Sequence, residues 1–190
     1  MSILVQKFGG TSLSTPQARE LVIKHIRREL DNGYQLVVVV SAMGRKGEPY
    51  ATDTLLDWVS QNGDALPSRE RDLLLCCGEI ISAATLCSLL GDEGITSTVL
   101  TGAQAGFVTD DQYGNARIKD VRPERIVKEL ETHQVVVVTG FQGQTETGDF
   151  TTLGRGGSDT SATALGAALR AEMVDIYTDV NGILTADPRI

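Results

Sequence analysis

Leu36-Val37-Val38-Val39-Val40 is an unbroken aliphatic run, β-branched at every position after the first. A strand with one wet face alternates apolar and polar residues, whereas a continuous β-branched run suits a strand buried on both faces, as in a parallel sheet between two helical layers. Val135-Val136-Val137-Val138-Thr139 repeats the pattern. Ile3 to Phe8, Thr96 to Thr101 and Val174 to Thr178 are shorter strand candidates. Helical stretches fall between them. Thr15 to Asp31 has Leu21, Ile23, Ile26 and Leu30 as apolar positions, with Gly33 just past its end. Two more follow at about Thr52 to Asn62 and about Ser68 to Leu90, where Ser68 offers a cap. Val121 to Thr132 carries Pro123 near its start, and Ser158 to Arg170 is Ala-rich. This alternation predicts an α/β fold, a three-layer αβα sandwich around a mostly parallel sheet.

Composition narrows the function classes. A chain of 190 residues fits one medium domain. With 17 Lys and Arg against 25 Asp and Glu, the net charge of −8 argues against a main role in gripping nucleic acid or an anionic membrane. Cys76, Cys77 and Cys87 have no metal spacing and read as buried free thiols of a reducing compartment, the adjacent pair as core packing. His25 and His133 stand alone on polar stretches, too little for a zinc site or a histidine-based triad. No apolar run is expected to reach the ~20 residues of a membrane span. The start, Met1-Ser2-Ile3-Leu4-Val5-Gln6-Lys7, lacks the order of a signal peptide, so the expectation is a soluble cytoplasmic protein. No exposed apolar stripe is expected either.

Ligands of such sheets sit beyond the carboxyl ends of the strands. The polar and glycine clusters fall there: Gly9-Gly10-Thr11-Ser12, Ser41 to Gly47, Thr101-Gly102, Gly140 to Gly143 and Asp179 to Gly182. Lys7 ends the first strand beside the first cluster, where a lysine can neutralise charge on a transferring phosphoryl group and glycine amides can approach phosphate oxygens. Neither a Walker A loop nor a G-x-G-x-x-G fingerprint is present: Asp149 stands where the nearest match, Gly143 to Gly148, needs lysine. Gly154-Arg155-Gly156-Gly157-Ser158-Asp159 opens the Ala-rich helix. It reads as an anion site with an arginine fork, while Ser158 and Asp159 fit a plain helix cap equally well. Glu79, inside the most apolar helix, is either on a solvent-facing strip or a functional carboxylate, since burial without a partner is costly. Asp179-Val180-Asn181-Gly182 and Asp187-Pro188-Arg189 read as a nucleotide frame or as a hairpin turned at Asn-Gly.

Lys7-Phe8-Gly9-Gly10-Thr11-Ser12 resembles the N-terminal signature of aspartokinases, within the wider amino acid kinase family. Three further blocks resemble these enzymes in the same order: Gly78-Glu79, Thr151 to Asp159, and Thr178 to Ile183 with Thr185 to Arg189. The stretch Val38 to Tyr50 looks most like the lysine-pathway aspartokinases of Gram-positive bacteria. The resemblance implies phosphorylation of the β-carboxylate of L-aspartate by Mg-ATP, giving 4-phospho-L-aspartate, the first step toward lysine, threonine and methionine. It implies that Lys7 contacts the transferring phosphoryl group and Asp159 organises that lysine. It further implies a phosphate loop of Gly9, Gly10 and Ser12, an aspartate site of Ser41, Thr52, Glu79, Arg155 and Ser158, and a nucleotide site of Thr178, Asp179, Asp187 and Arg189. Arg155 would take a carboxylate and Glu79 the ammonium. Mg²⁺ would be held mainly by phosphates and water. The same-fold rivals are kinases of glutamate, N-acetylglutamate or UMP; a catalytically silent binding or assembly fragment is the rival of another class. A homodimer is compatible with the resemblance. The sequence ends at Ile190 directly after Asp187-Pro188-Arg189, where aspartokinases continue into a second phosphate-binding lysine and regulatory ACT domains. The expectation is therefore a C-terminally incomplete catalytic domain over 1–190, poorly active and without feedback inhibition.

Overall fold

The computed structural model describes residues 2–61, 63 and 65–178. Its elements are β1 (Ile3–Phe8), α1 (Gly10–Ser14), α2 (Pro16–Asp31), β2 (Gln35–Val40), α3 (Thr52–Ser60), α4 (Ser68–Asp92), β3 (Ser97–Leu100), β4 (Phe107–Thr109), β5 (Ile118–Val121), α5 (Glu124–Leu130), β6 (Val135–Thr139), β7 (Gln142–Gln144), β8 (Phe150–Thr152), α6 (Gly157–Leu169) and β9 (Met173–Tyr177). The central sheet runs β3-β6-β2-β1-β9, and every neighbouring pair in it is parallel. The valine-rich strands are its middle. In β2, Leu36, Val38 and Val40 enter one core with Val22 and Ile26 of α2 and Leu86 and Leu90 of α4. Val37 and Val39 enter the other, with Ile126 of α5 and Leu165 of α6. Successive side chains of a strand point to opposite faces, so an all-apolar run needs a helical layer on each side. The three-layer α/β sandwich expected from the sequence is the fold observed.

Several boundaries and faces differ from expectation. The buried residues of α2 are Val22, Ile26 and Glu29, with Ile23 and Leu30 packed against the core as expected, while Leu21, 100° from Val22, is exposed. Thr15 caps α2, accepting from the Ala18 amide, and Gly33 turns the chain after it at φ +89°. Ser68 does not cap α4; it is the first helical residue, after Pro67. Val121 belongs to β5, and α5 begins only after Pro123, because the residue before a proline avoids helical dihedrals.

A second, four-stranded sheet, β5-β4-β7-β8, escaped the sequence reading. Its strands are three or four residues long, too short to show a period. It mixes antiparallel pairs, β4 with β5 and β7 with β8, with a parallel contact of β4 and β7.

Helix α4 spans 25 residues and is long and apolar enough, by length and composition, to cross a membrane, contrary to the expectation that no run would qualify. In the fold it is a core helix, burying Asp72, Glu79 and Ser82 together with Leu75, Ala83, Leu86 and Leu90. Its outer face exposes Leu73, Cys77 and Ile80, a short apolar stripe that the sequence reading had not anticipated. Cys76 is buried, Cys77 is exposed and Cys87 is partly exposed, so the adjacent cysteines are not both core residues. Neighbours on a helix point 100° apart.

Candidate functional site

All five central strands are parallel, so their carboxyl ends share one edge, and a cavity of about 300 Å³ opens there. It is lined by Lys7 and Gly10 after β1, Ser41, Ala42 and Gly44 after β2, Thr52 of α3, Glu79 of α4, Phe141 after β6, and Gly156 to Asp159 at the start of α6. Residues 150 positions apart in sequence are thus brought together by the sheet topology alone. The first glycine cluster is not an open turn: Gly9 precedes the five-residue helix α1, and the Ser12 amide donates to the Gly9 carbonyl at 3.0 Å.

Lys7 is nearly buried, and its ammonium lies 2.7 Å from Asp159 Oδ1, a close contact that is off the hydrogen-bond direction. Neither Ser158 nor Asp159 caps α6; Gly156, in the left-handed region at φ 77°, takes that position, leaving both side chains for the cavity. Ser158 Oγ accepts from the Ser41 hydroxyl at 2.9 Å, joining the ends of β2 and α6 across the site. The aspartate of this pair is half exposed, so the contact adds little to stability and leaves the lysine available to a ligand.

Glu79 is 2% exposed, which rules out a solvent-facing strip. Its Oε1 accepts the Ala42 amide at 3.1 Å, while Oε2 has no partner. Gly78 makes the contact with Ala42 feasible: a Cβ there would lie 2.8 Å from Ala42 Cβ and 3.1 Å from the Tyr50 carbonyl. Burial pushes the carboxyl up from its ordinary value to about 8, the amide contacts opposing that only in part. A buried carboxyl that lines a cavity and has one unpartnered oxygen can receive a cationic group.

Arg155 lines a neighbouring cavity of about 540 Å³ rather than the one holding Lys7. The two share Thr52 and Phe141, so a ligand lying across that boundary reaches both. Asp72 forms the floor of the second cavity. It is fully buried and accepts from the Thr152 amide (2.7 Å), the Thr152 hydroxyl (2.8 Å) and the Gly114 amide (2.9 Å). It therefore pins β8, and the loop that carries Arg155, to α4. The sequence reading missed Asp72, although its place seven residues before Glu79, on the same helical face, was a usable signal. Phe141, a non-glycine residue at φ 67°, lies in the Gly140 to Gly143 cluster expected at this edge, but the sequence reading gave it no role of its own.

Of the remaining expected site residues, Gly9 sits against Lys7 Nζ and the Tyr177 carbonyl, and Ser12 is in α1, outside the residues lining the two cavities. Thr178 follows β9, the neighbour of β1. Asp179, Asp187 and Arg189, with the Asn181-Gly182 turn, lie outside the described residues. Among the described residues no group of three His, Cys, Asp or Glu side chains is arranged to hold a metal.

The sequence profile described as the amino acid kinase family matches residues 2–190. Aspartokinase 1 of Bacillus subtilis is 57% identical over 190 residues, which is all of this chain and 47% of that protein. The aspartokinase of Geobacillus stearothermophilus is 48% identical over 189 residues, again all of this chain and 45% of the relative. Among solved structures, aspartate kinase from Synechocystis superposes with a TM-score of 0.77 at 45% identity, over 98% of this chain and 30% of that one. E. coli aspartokinase III in complex with aspartate and ADP gives 0.80 at 26% identity, over 98% and 51%. The chain thus spans about half the length of the curated relatives it matches.

Proposed function

The chain belongs to the amino acid kinase family, and on that premise we propose that residues 1–190 form the larger, N-terminal part of a catalytic domain that transfers the γ-phosphate of ATP to the β-carboxylate of L-aspartate. The observation that carries this reading is one cavity lined by Lys7, held by Asp159, and by Glu79, whose carboxyl has one unpartnered oxygen. Aspartate offers an ammonium and two carboxylates. Glu79 receives the ammonium, Arg155 forks onto the α-carboxylate from the adjoining cavity, and the β-carboxylate then points toward Lys7. Ser41, Ser158 and Thr52 border the bound amino acid. The aspartate and ADP named with E. coli aspartokinase III, at 26% identity, support the same pair of ligand classes here.

The chemistry asks little else of the chain. The nucleophile is already an ionised carboxylate, so no general base is required, and the scarcity of histidine is no obstacle. Rate comes from positioning and from stabilising charge as the phosphoryl group moves. Lys7 neutralises that charge and Asp159 fixes where its ammonium sits. Gly9, Gly10 and Ser12 border the phosphates. Thr178, Asp179, Asp187 and Arg189 are proposed for the nucleotide on the resemblance alone. Bound Mg²⁺ would neutralise phosphate charge and would be held mainly by phosphate oxygens and water. A cytoplasmic setting, where ATP is available, is part of this proposal.

The test is ATP-dependent formation of aspartyl hydroxamate, with hydroxylamine as trap and glutamate as control. A signal specific to aspartate supports the reading. Preference for glutamate, N-acetylglutamate or UMP would replace it with another kinase of the same fold. Binding of aspartate and ATP without turnover would mark a binding or assembly fragment.

A further inference from the structure

Asp72, in the second turn of α4, is a fully buried carboxylate with no direct part in the proposed transfer. Donors from two other segments converge on it. Oδ1 accepts the Thr152 hydroxyl at 2.8 Å, while Oδ2 accepts the Thr152 amide at 2.7 Å and the Gly114 amide at 2.9 Å. An ionised carboxylate only accepts, so it satisfies all of them; a carboxamide would turn its N–H₂ toward one. Thr152 ends β8, three residues before Arg155. The residues between are held as closely. The Leu153 amide donates to the Phe141 carbonyl at 2.7 Å, and a Cβ on Gly154 would lie 2.2 Å from Asn115 Oδ1, in the loop that carries Gly114. Glu79 follows Asp72 by seven residues on the same helix, two turns or about 10 Å along its axis.

From this geometry we propose that Asp72 is a positioning residue for the amino acid substrate: it fixes the Arg155 fork relative to Glu79, and so sets the spacing between the carboxylate and ammonium receptors. The proposal rests on the roles of Glu79 and Arg155 given above. The ammonium and carboxylate of an α-amino acid share one carbon, so their two receptors must keep one separation. Here they come from different segments, Glu79 from α4 and Arg155 from the loop between β8 and α6. Asp72 belongs to the first and is hydrogen-bonded to the entry of the second. Its oxygens are taken up by protein donors, so it acts through Arg155 rather than on the substrate. Arg69 of α4 also reaches this sheet, pairing with Asp149 at 2.7 Å. That pair is open to solvent and screened by salt, and it lies at the opposite end of β8 from Arg155. The Asp72 bonds are shielded from water and directional, which suits them to hold a loop in register.

The test is calorimetric titration of L-aspartate into the whole chain carrying Asp72→Asn, Arg155→Lys or both. Arg155→Lys keeps the charge but loses the fork. Asp72→Asn alone is expected to weaken aspartate binding about tenfold or more, as a displaced receptor does. In the Arg155→Lys background the same change should cost less than about twofold, because the geometry it guards is already gone. Melting curves verify folding. Where Asp72→Asn fails to fold, Thr152→Val, which deletes only the hydroxyl bond, takes its place, and Thr152→Ser, which keeps that bond, should retain affinity. Unchanged affinity in the folded variant overturns the proposal, as does an equal loss in both backgrounds, the signature of a packing change independent of Arg155. If the unmodified chain binds no aspartate, the functional reading fails, and amide exchange over residues 152–155 decides the role of Asp72. Faster exchange there in the variant, with β2 and β6 unchanged, upholds it, and unchanged exchange overturns it.

Discussion

Replacing Glu79 by glutamine should stabilise the unliganded fold while destroying the proposed ammonium subsite. The carboxyl titrates near its ordinary value of 4.5 when unfolded but at about 8 when buried in the fold. A value raised by folding means that stability is fully present below the unfolded value and is lost as pH rises toward the folded one. At about 1.4 kcal/mol per pH unit, the loss accumulated by pH 7 is roughly 3 kcal/mol. Glutamine removes the titration. Its carbonyl can still accept the Ala42 amide. Allowing for an imperfect fit of that new amide, the net gain is roughly 1–3 kcal/mol at pH 7. For a chain of this size that corresponds to a rise in Tm of about 2–10 °C. The assay is paired thermal melts from pH 4 to 9. The two curves should meet near pH 4, diverge through pH 5–8 and run parallel above. Equal or lower melting temperature of the variant at pH 8 would refute the assignment of Glu79 as a buried, uncompensated carboxyl.

Lys7→Ala should lower phosphoryl transfer by at least about a thousandfold while leaving the far-ultraviolet dichroism unchanged, since its partner Asp159 is half exposed and rehydrates readily; comparable turnover would remove Lys7 from the mechanism. Asp72→Asn should destabilise by about 2–4 kcal/mol, because three donors converge on the carboxylate and an amide cannot accept from all of them; urea unfolding reads this, and a change below about 0.5 kcal/mol would contradict the pinning role. Iodoacetamide should label Cys77 in the native protein and leave Cys76 unmodified until denaturant is added, given the exposure of one and the buried, raised thiol of the other. Peptide mapping distinguishes them, and native labelling of Cys76 would mean that α4 opens readily.

How much was legible in the sequence depended on the length scale of the signal. The strands Leu36–Val40 and Val135–Thr139 announce burial on both faces because no polar residue interrupts their apolar runs, α2 announces itself by its apolar period and α6 by its Ala-rich composition. The second sheet did not, since strands of three residues such as Gln142–Gln144 carry no period and are held by cross-chain hydrogen bonds. The face of α2 was misread by one position at Leu21, a hydrophobic residue the surface tolerates.

The site divides in the same way. Residue types alone nominated Lys7, Glu79, Arg155 and Asp159, because a charge beside glycines or within an apolar helix needs a reason. What each does was decided by tertiary structure. Whether Asp159 capped its helix or held Lys7 turned on Gly156 taking the cap. Whether Glu79 faced water turned on which side of α4 met the sheets. That Arg155 and Lys7 line adjoining cavities rather than one is beyond any linear reading. Composition and periodicity report the average environment a residue will meet, whereas hydrogen-bond direction, burial and charge pairing are properties of contacts between segments up to 171 residues apart, and exist only once the sheet has brought those segments together.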